Sequence, residues 1–255
     1  MKLETEKLAE KLKSEGIVVL KNFYDEKFCE DVIGEIESAI DNFKDKVSII
    51  KAENTGGDHR LYGIDKFFYK SNLFCNEFFF KDLINKVSEK KEKPFFVIGG
   101  KLEYEKDSNK NSGGGWHRDK DEDQYKVMVY LNKVASENGP FMFIKNSKKT
   151  DAVRLENRNK QSIVIALKKF LKRIKLNNPR YSEDSIKEYL KKNNLKILEI
   201  QGDVGDVIIF NSSYLHRGKN IIDSTRYTLT TYFFPDTKKQ QRAVNKSFAE
   251  FFIRQ

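Results

Sequence analysis

The chain has 255 residues, of which 38% are hydrophobic and 34% are charged, a composition typical of one soluble globular domain with a charged surface. No apolar run approaches the roughly 20 residues that a bilayer span needs, and the N-terminus lacks the apolar core of a signal peptide. Two cysteines, Cys29 and Cys75, fit neither a disulfide framework nor a multi-cysteine metal site. We therefore expect a cytoplasmic protein with no membrane partner.

The net charge of +10 arises from one segment of the chain. Between Lys145 and Glu199 there are 16 basic and 6 acidic residues, which leaves 32 of each sign elsewhere from the totals of 48 and 38. A protein that is basic throughout suggests nucleic-acid binding, whereas a local excess suggests a basic surface or lid that attracts an anionic small molecule.

The N-terminal part of the sequence alternates helical and strand patterns. An amphipathic helix should end near Gly16, and the β-branched residues from Ile17 to Phe23 predict a strand. Asp25 is a plausible N-cap for a helix that continues to about Phe43. The glycine-rich stretch TGGDHRLYG predicts a turn, and an aromatic, lysine-rich helical stretch should follow through Lys90.

From Pro94 the sequence predicts short strands separated by turns. The strand-like runs are PFFVIGGKLEY, YKVMVYLNKV, GPFMFI, DVIIF and RYTLTTYFF. Apolar residues at helical spacing around residues 163–174, and a helix beginning at Ser182, predict a helical insertion at about 145–200. We therefore expect one domain over 1–255, with residues 1–93 supporting a mainly β core over 94–255, as in a sandwich or barrel with helices.

The segment SGGGWHRDKD at residues 112–121 carries the first candidate site residues. Its glycines lack the Lys-Ser/Thr pair of a phosphate-binding loop and the strand–GxGxxG–helix pattern of a dinucleotide site. In an extended chain, side chains two residues apart point to the same face, so His117 and Asp119 can converge on one point. Taken alone, an HxD pair is a weak metal signal.

Two residues downstream strengthen the metal interpretation. His216 follows the buried-strand pattern GDVGDVIIF, and two imidazoles with one carboxylate match the facial triad of non-haem Fe(II) sites. Ten residues later, Arg226 lies inside a strand-like run, where its planar guanidinium suits a carboxylate. Thr228, two residues further on, should share the face of Arg226.

In these motifs the chain resembles the phytanoyl-CoA dioxygenase-like group of Fe(II)- and 2-oxoglutarate-dependent dioxygenases. The similar segments are WHRD, SENGPFMFIKNSKK, GDVGDVIIF and HRGKNIIDSTRYTLTTYF, which fall in roughly the C-terminal 60% of the chain. One departure is the turn after SENGP, where the family often has Gly-Ser-His and this chain has Asn146, Ser147 and Lys148.

The resemblance implies a double-stranded β-helix of the jelly-roll or cupin type, mainly β with helices. It implies that His117, Asp119 and His216 bind Fe(II) as metal ligands and catalytic residues, and that Arg226, assisted by Thr228, binds 2-oxoglutarate. Lys101 and Tyr104 lie on the strand-like run PFFVIGGKLEY, before the glycines of SGGGWHRDKD, and are further candidates for contacting that cosubstrate. The implied reaction uses O2, converts 2-oxoglutarate to succinate and carbon dioxide, and hydroxylates a second substrate.

The expected partner is a small polar or anionic metabolite that is phosphorylated or linked to a nucleotide or CoA. An oxidative nucleic-acid demethylase is an alternative, but such enzymes carry a second arginine where this chain has Tyr232, and the basic residues lack interleaved aromatics. A non-catalytic β-barrel that binds a metal or a small acid is a third possibility. The sequence leaves the oligomeric state open.

Overall fold

A computed structural model describes residues 2–43, 48–51, 57–104, 115–120, 122–148 and 180–242. Two antiparallel sheets face each other in a double-stranded β-helix. Their strands are β1 (Ile17–Leu20), β2 (Ser48–Lys51), β3 (Gly57–Tyr62), β4 (Glu92–Glu103), β5 (Tyr125–Tyr130), β6 (Phe141–Ile144), β7 (Ile197–Ile200), β8 (Val207–Asn211), β9 (His216–Gly218) and β10 (Thr225–Pro235). The larger sheet has seven strands in the order β1-β8-β5-β10-β4-β3-β2, and the smaller has three in the order β7-β6-β9.

Four N-terminal helices cover the outer face of the large sheet. They are α1 (Lys2–Glu15), α2 (Glu26–Asn42), α3 (Tyr69–Cys75) and α4 (Phe78–Val87). The Asp25 side chain caps α2 by accepting a hydrogen bond from the Phe28 amide at 2.7 Å, which satisfies an otherwise unpaired donor. Apolar residues of these helices pack with Val97, Val127 and Leu229 of the sheet, so the main core lies on the side of the sheet away from β6 and β9.

The small sheet closes the opposite side. Its Phe141 and Phe143 pack against Phe210 and Tyr130 of the large sheet. Helix α5 (Glu183–Asn193) covers its outer face with Ile186. The two sheets thus form a layered core with room for a cavity between them.

The predicted fold class is confirmed, as are several boundaries. The first helix ends at Glu15, the helix capped by Asp25 ends at Asn42, and α5 begins after its N-cap Ser182. The helical stretch through Lys90 is three short pieces, the 3-10 helix Ile64–Lys66, α3 and α4.

Two segments differ from the expectation. The predicted turn at TGGDHRLYG is wrong from residue 57 onward, because Gly57–Tyr62 forms β3 and pairs with both β2 and β4. The C-terminal end of the segment predicted as a helical insertion forms strand β7 instead, which pairs with β6. The basic helix expected around residues 163–174, with the lid hypothesis based on it, lies outside the described residues. Among the helices that are described, none is long and apolar enough to cross a membrane.

Candidate active site

A cavity of about 480 Å³ lies between the two sheets. Its floor comes from the inward-facing residues of β3, β4, β5 and β10, and its opposite wall includes Phe141 of β6 and His216 of β9. Both candidate histidines, Asp119, Arg226 and Thr228 line this one cavity. The fold therefore brings these five predicted residues together around one cavity.

Backbone hydrogen bonds attach the His117 segment to β9. The amide of His117 donates to the His216 carbonyl at 3.1 Å, and the His216 amide donates back to His117 at 3.0 Å. The Asp119 amide donates to the Ser212 carbonyl at 3.0 Å. This pairing holds the two imidazole rings 4.4 Å apart, centroid to centroid.

The hydrogen bonds of the imidazoles fix which nitrogen faces the cavity. Nδ1 of His117 lies 3.0 Å from the Gly115 carbonyl, and Nδ1 of His216 lies 2.9 Å from the Tyr214 carbonyl. A carbonyl oxygen can only accept, so each Nδ1 carries the proton and each Nε2 presents a lone pair. Backbone carbonyls that orient histidine in this way are common around metal sites.

Burial keeps both imidazoles neutral. It lowers the pKa of His216 to about 4. The pKa of His117 is also lowered, first by burial and then by the neighbouring His216. Neutral imidazoles are the form that binds metal ions, so at pH 7 neither residue must lose a proton first.

Asp119 lies between the two imidazoles and is paired with a buried lysine. Its carboxylate oxygens are 3.6 Å from Nε2 of His117 and 3.6 Å from Nε2 of His216. The ammonium of Lys126 on β5 contacts Oδ2 of Asp119. Burial alone would raise the pKa of Asp119, but Lys126 and the two histidines hold that pKa well below its usual range.

These three side chains suit a divalent transition metal. One ligand atom from each lies within 4.8 Å of the others, and donors 3.6 Å apart can reach one ion about 2 Å from each of them. Two neutral imidazoles and one carboxylate are the donor set of the 2-His-1-carboxylate class, which leaves further positions open. The arrangement can therefore hold Fe(II) with room for a second ligand.

Arg226 and Thr228 lie side by side on β10, as predicted, and both face the cavity. Nε of Arg226 is buried and has no hydrogen-bond partner among the described residues, and burial lowers the pKa of this guanidinium. A buried guanidinium nitrogen without a hydrogen-bond partner is costly. A bound anion would relieve that cost.

Gly100 provides space beside Thr228. It pairs with Thr228 in the sheet, and a Cβ at position 100 would lie 2.7 Å from the Thr228 Oγ1 atom. The missing side chain opens the cavity floor between Thr228 and Arg60, which pairs with Gly100 from β3.

The structure places Lys101 and Tyr104 differently from Arg226. Although Lys101 borders the cavity, its ammonium lies 2.9 Å from Glu37 of α2 and 3.1 Å from Glu103, on the helix-covered face of the sheet. Tyr104 is 46% exposed at the end of β4 and is not among the lining residues.

The other polar residues around the motif have structural partners. Asp206 is buried and accepts hydrogen bonds from the Asn22 and Asp203 amides, so it stabilises a turn. Trp116 packs in the cluster under α5, and Arg118 donates to the Ser147 carbonyl, so neither side chain is directed at the cavity.

Four cationic residues of the cavity lining were not predicted from the sequence as site residues. They are Arg60, Lys126, Arg180 and Arg217. Lys126 could have been found, since it has the same strand parity as Met128, which also lines the cavity. Arg60 was hidden by the incorrect turn prediction, and Arg180 by its place in a lysine-rich segment.

A family model described as phytanoyl-CoA dioxygenase (PhyH) matches residues 12–222. The chain belongs to the phytanoyl-CoA dioxygenase family. Membership confirms the resemblance seen in the motifs, and with the His-Asp-His cluster it identifies the chain as an oxygenase that depends on Fe(II), 2-oxoglutarate and O2.

Solved structures share the fold at low sequence identity. The epimerase SnoN in complex with Fe3+, alpha ketoglutarate and nogalamycin RO is 12% identical, with a TM-score of 0.66 over 93% of this chain and 86% of that chain. HygX from Streptomyces hygroscopicus, with nickel and 2-oxoglutarate bound, is also 12% identical, with a TM-score of 0.62 over 91% and 87%. EctD from S. alaskensis in its apoform is 13% identical, with a TM-score of 0.64 over 90% and 76%.

A search of curated proteins gives no significant match to the chain. Among the solved structures, both the epimerase SnoN and the carbocyclase SnoK depend on alpha ketoglutarate. The shared fold alone therefore does not establish which reaction this chain catalyses.

Proposed function

We propose that this protein is a hydroxylase that inserts an oxygen atom from O2 into a small anionic metabolite. His117, Asp119 and His216 are the iron ligands, and Arg226 with Thr228 binds the distal carboxylate of 2-oxoglutarate. The observation that carries the proposal is the common cavity, which is lined by the three metal-binding side chains and by Arg226, whose buried Nε has no hydrogen-bond partner among the described residues.

The protein residues have separate tasks in this proposal. The Gly115 and Tyr214 carbonyls hold the two imidazoles in the metal-binding tautomer. Lys126 keeps Asp119 ionised. Bound iron supplies the activation of O2 that these side chains cannot provide themselves.

The intact carboxylate at position 119 supports hydroxylation. Halogenases related to this family replace that carboxylate with a small residue to admit halide, as the resemblance implies, whereas this chain has Asp119. The proposal of an anionic substrate is supported by the basic side chains of the cavity lining, since Lys126, Arg180 and Arg226 line it together with Arg60 and Asp58.

The test combines cosubstrate turnover with isotope labelling. Purified protein with Fe(II) and 2-oxoglutarate under ¹⁸O2 is incubated with pools of phosphorylated and carboxylated metabolites. Hydroxylation adds one labelled oxygen to a substrate and forms succinate in equal amount, and His117→Ala abolishes both products. Succinate formation with a product of unchanged mass, as from epimerisation, would contradict the hydroxylase proposal.

A further inference from the structure

The ammonium group of Lys126 lies against the carboxylate of the metal-binding cluster. Lys126 is buried on β5, lines the cavity and contacts Oδ2 of Asp119. Of the two carboxylate oxygens, Oδ1 lies 3.6 Å from Nε2 of His117, and Oδ2 lies 3.6 Å from Nε2 of His216. Distance alone therefore lets a metal ion reach either oxygen of Asp119.

An aromatic pair on the sheet restrains the ammonium in this position. Lys126 pairs in register with Tyr232 of β10, and its Nζ lies 4.1 Å from the centroid of the Tyr232 ring. Tyr232 pairs in turn with Phe96 of β4, and the two rings stack with their centroids 4.9 Å apart. Because an ammonium is attracted to the face of an aromatic ring, Tyr232 and Asp119 together hold the end of the Lys126 side chain.

Charge decides which oxygen of Asp119 a metal ion takes. A divalent ion bound to Oδ2 would lie within about 5 Å of the ammonium that contacts the same oxygen, and like charges at that separation in a buried site repel strongly. A metal ion bound to Oδ1 avoids sharing an oxygen with the ammonium. The contact between Lys126 and Oδ2 then stays intact.

We propose that Lys126 is a positioning residue that makes Asp119 bind the metal through Oδ1 alone. Its ammonium occupies Oδ2 and prevents both oxygens from coordinating one ion, so a further coordination position stays open for 2-oxoglutarate. The inference rests on the proposed function, since it takes His117, Asp119 and His216 as the iron ligands. It goes further by assigning a task in metal coordination to a residue outside that cluster.

Removing the ammonium should change metal binding and cosubstrate binding in opposite directions. In Lys126→Met both oxygens of Asp119 can coordinate the ion and a neighbouring positive charge is lost, so Mn(II) should bind about tenfold more tightly. Since 2-oxoglutarate needs two open positions to chelate the metal, its Kd should rise about tenfold. A lysine that only supported the fold would weaken the binding of both when replaced.

The test reads the coordination of Asp119 from its carboxylate vibrations. Infrared spectra are recorded with and without Mn(II) at pH 8, and their difference isolates the carboxylates that the metal perturbs. A carboxylate bound through one oxygen separates its symmetric and antisymmetric stretches more widely than one bound through both. Labelling of aspartate with ¹³C, together with loss of these bands in Asp119→Asn, assigns them to Asp119.

We expect a wide separation of the two stretches in the parent protein and a narrow one in Lys126→Met. Lys126→Gln keeps a hydrogen-bond donor without the charge and should give a separation and affinities between those two. Calorimetric titration measures the affinity for Mn(II) and, at saturating Mn(II), the affinity for 2-oxoglutarate. Lys187→Met is the matched control, because Lys187 is exposed on α5 and does not line the cavity, and it should resemble the parent.

Two results would overturn the task assigned to Lys126, and both leave the proposed function intact. One is a narrow separation in the parent protein, which would show that Asp119 already binds through both oxygens. The other is the parent's separation retained in folded Lys126 variants that bind Mn(II). If Lys126→Met does not fold, Lys126→Gln and the parent spectrum decide the question. A folded parent protein in which Mn(II) perturbs no aspartate would instead refute the proposed function, and the task of Lys126 with it.

Discussion

The Lys126 ammonium contacts Oδ2 of Asp119 inside the cavity and lies 4.1 Å from the centroid of the Tyr232 ring. Burial acts to lower the pKa of Lys126, but Asp119 and Tyr232 raise it, so the ammonium stays charged. The lysine side chain is only 7% exposed. The carboxylate of the metal-binding cluster is thus one half of a buried ion pair.

Removing only the carboxylate should destabilise the metal-free protein. Asp119→Asn leaves the Lys126 charge buried without its partner, and we expect a loss of unfolding free energy on the order of 3 kcal/mol. Urea unfolding in the presence of EDTA measures the effect.

The double variant Asp119→Asn/Lys126→Met provides the control for this pair. It removes both charges and should regain most of the lost stability, while both variants fail to bind Fe(II) tightly. A double variant that is no more stable than Asp119→Asn would show that the ion pair is not what the single substitution disrupts.

Adding one methyl group at Gly100 should weaken cosubstrate binding. The new Cβ would be 2.7 Å from the Thr228 Oγ1 atom, and overpacking of this kind has to displace Thr228 from its place beside Arg226. We expect the Kd of 2-oxoglutarate to rise about tenfold in Gly100→Ala, as measured by anaerobic titration with Fe(II).

Gly34→Ala is the matched control for that substitution. Gly34 is exposed in α2, and a Cβ there meets nothing within 4 Å. This change should leave 2-oxoglutarate binding unaltered and stabilise the helix by about 0.5–1 kcal/mol. Equal 2-oxoglutarate affinity in both variants would contradict the role of Gly100.

Glu92, which lies outside the active site, makes the stability of the folded protein depend on pH. Its side chain is 3% exposed, Oε2 has no hydrogen-bond partner among the described residues, and burial raises its pKa to about 7. Between about pH 4.5 and 7 the folded state binds more protons than the unfolded state, so this group makes stability fall as pH rises.

Glu92→Gln should remove this pH dependence. The stability difference between variant and parent should be small at pH 4.5 and reach on the order of 2–3 kcal/mol in favour of the variant at pH 8. Chemical unfolding across this pH range provides the measurement, with exposed Glu188→Gln as the control. A difference that does not change with pH would refute the assignment.

The sequence predicted most of the fold because its helices and inward-facing strands carry strong periodic patterns. Asp25 marked the start of α2, and the β-branched residues of β8 and β10 marked buried strands. It missed β3, since glycine and charged residues there resemble a turn and only pairing with β2 and β4 makes that segment a strand.

The sequence also predicted part of the candidate site and missed other residues of it. His117 and Asp119 share a strand face by parity, and His216 follows a recognisable buried strand. Lys126 was missed because a lysine on a strand is normally solvent-facing, although it shares its strand face with Met128, and in the fold it contacts Asp119 inside the cavity. Arg60 and Arg180 are distant in sequence, and only the fold brings them to one cavity.

The central claim is that one cavity binds Fe(II) through His117, Asp119 and His216 and 2-oxoglutarate through Arg226. Its most direct test is anaerobic addition of Fe(II) and 2-oxoglutarate to the metal-free protein, with the visible metal-to-ligand charge-transfer band recorded. We predict a band in the parent, none in His117→Ala, and a band in Arg226→Ala that requires far more 2-oxoglutarate. A folded parent protein that binds iron but develops no band on addition of 2-oxoglutarate would contradict the account.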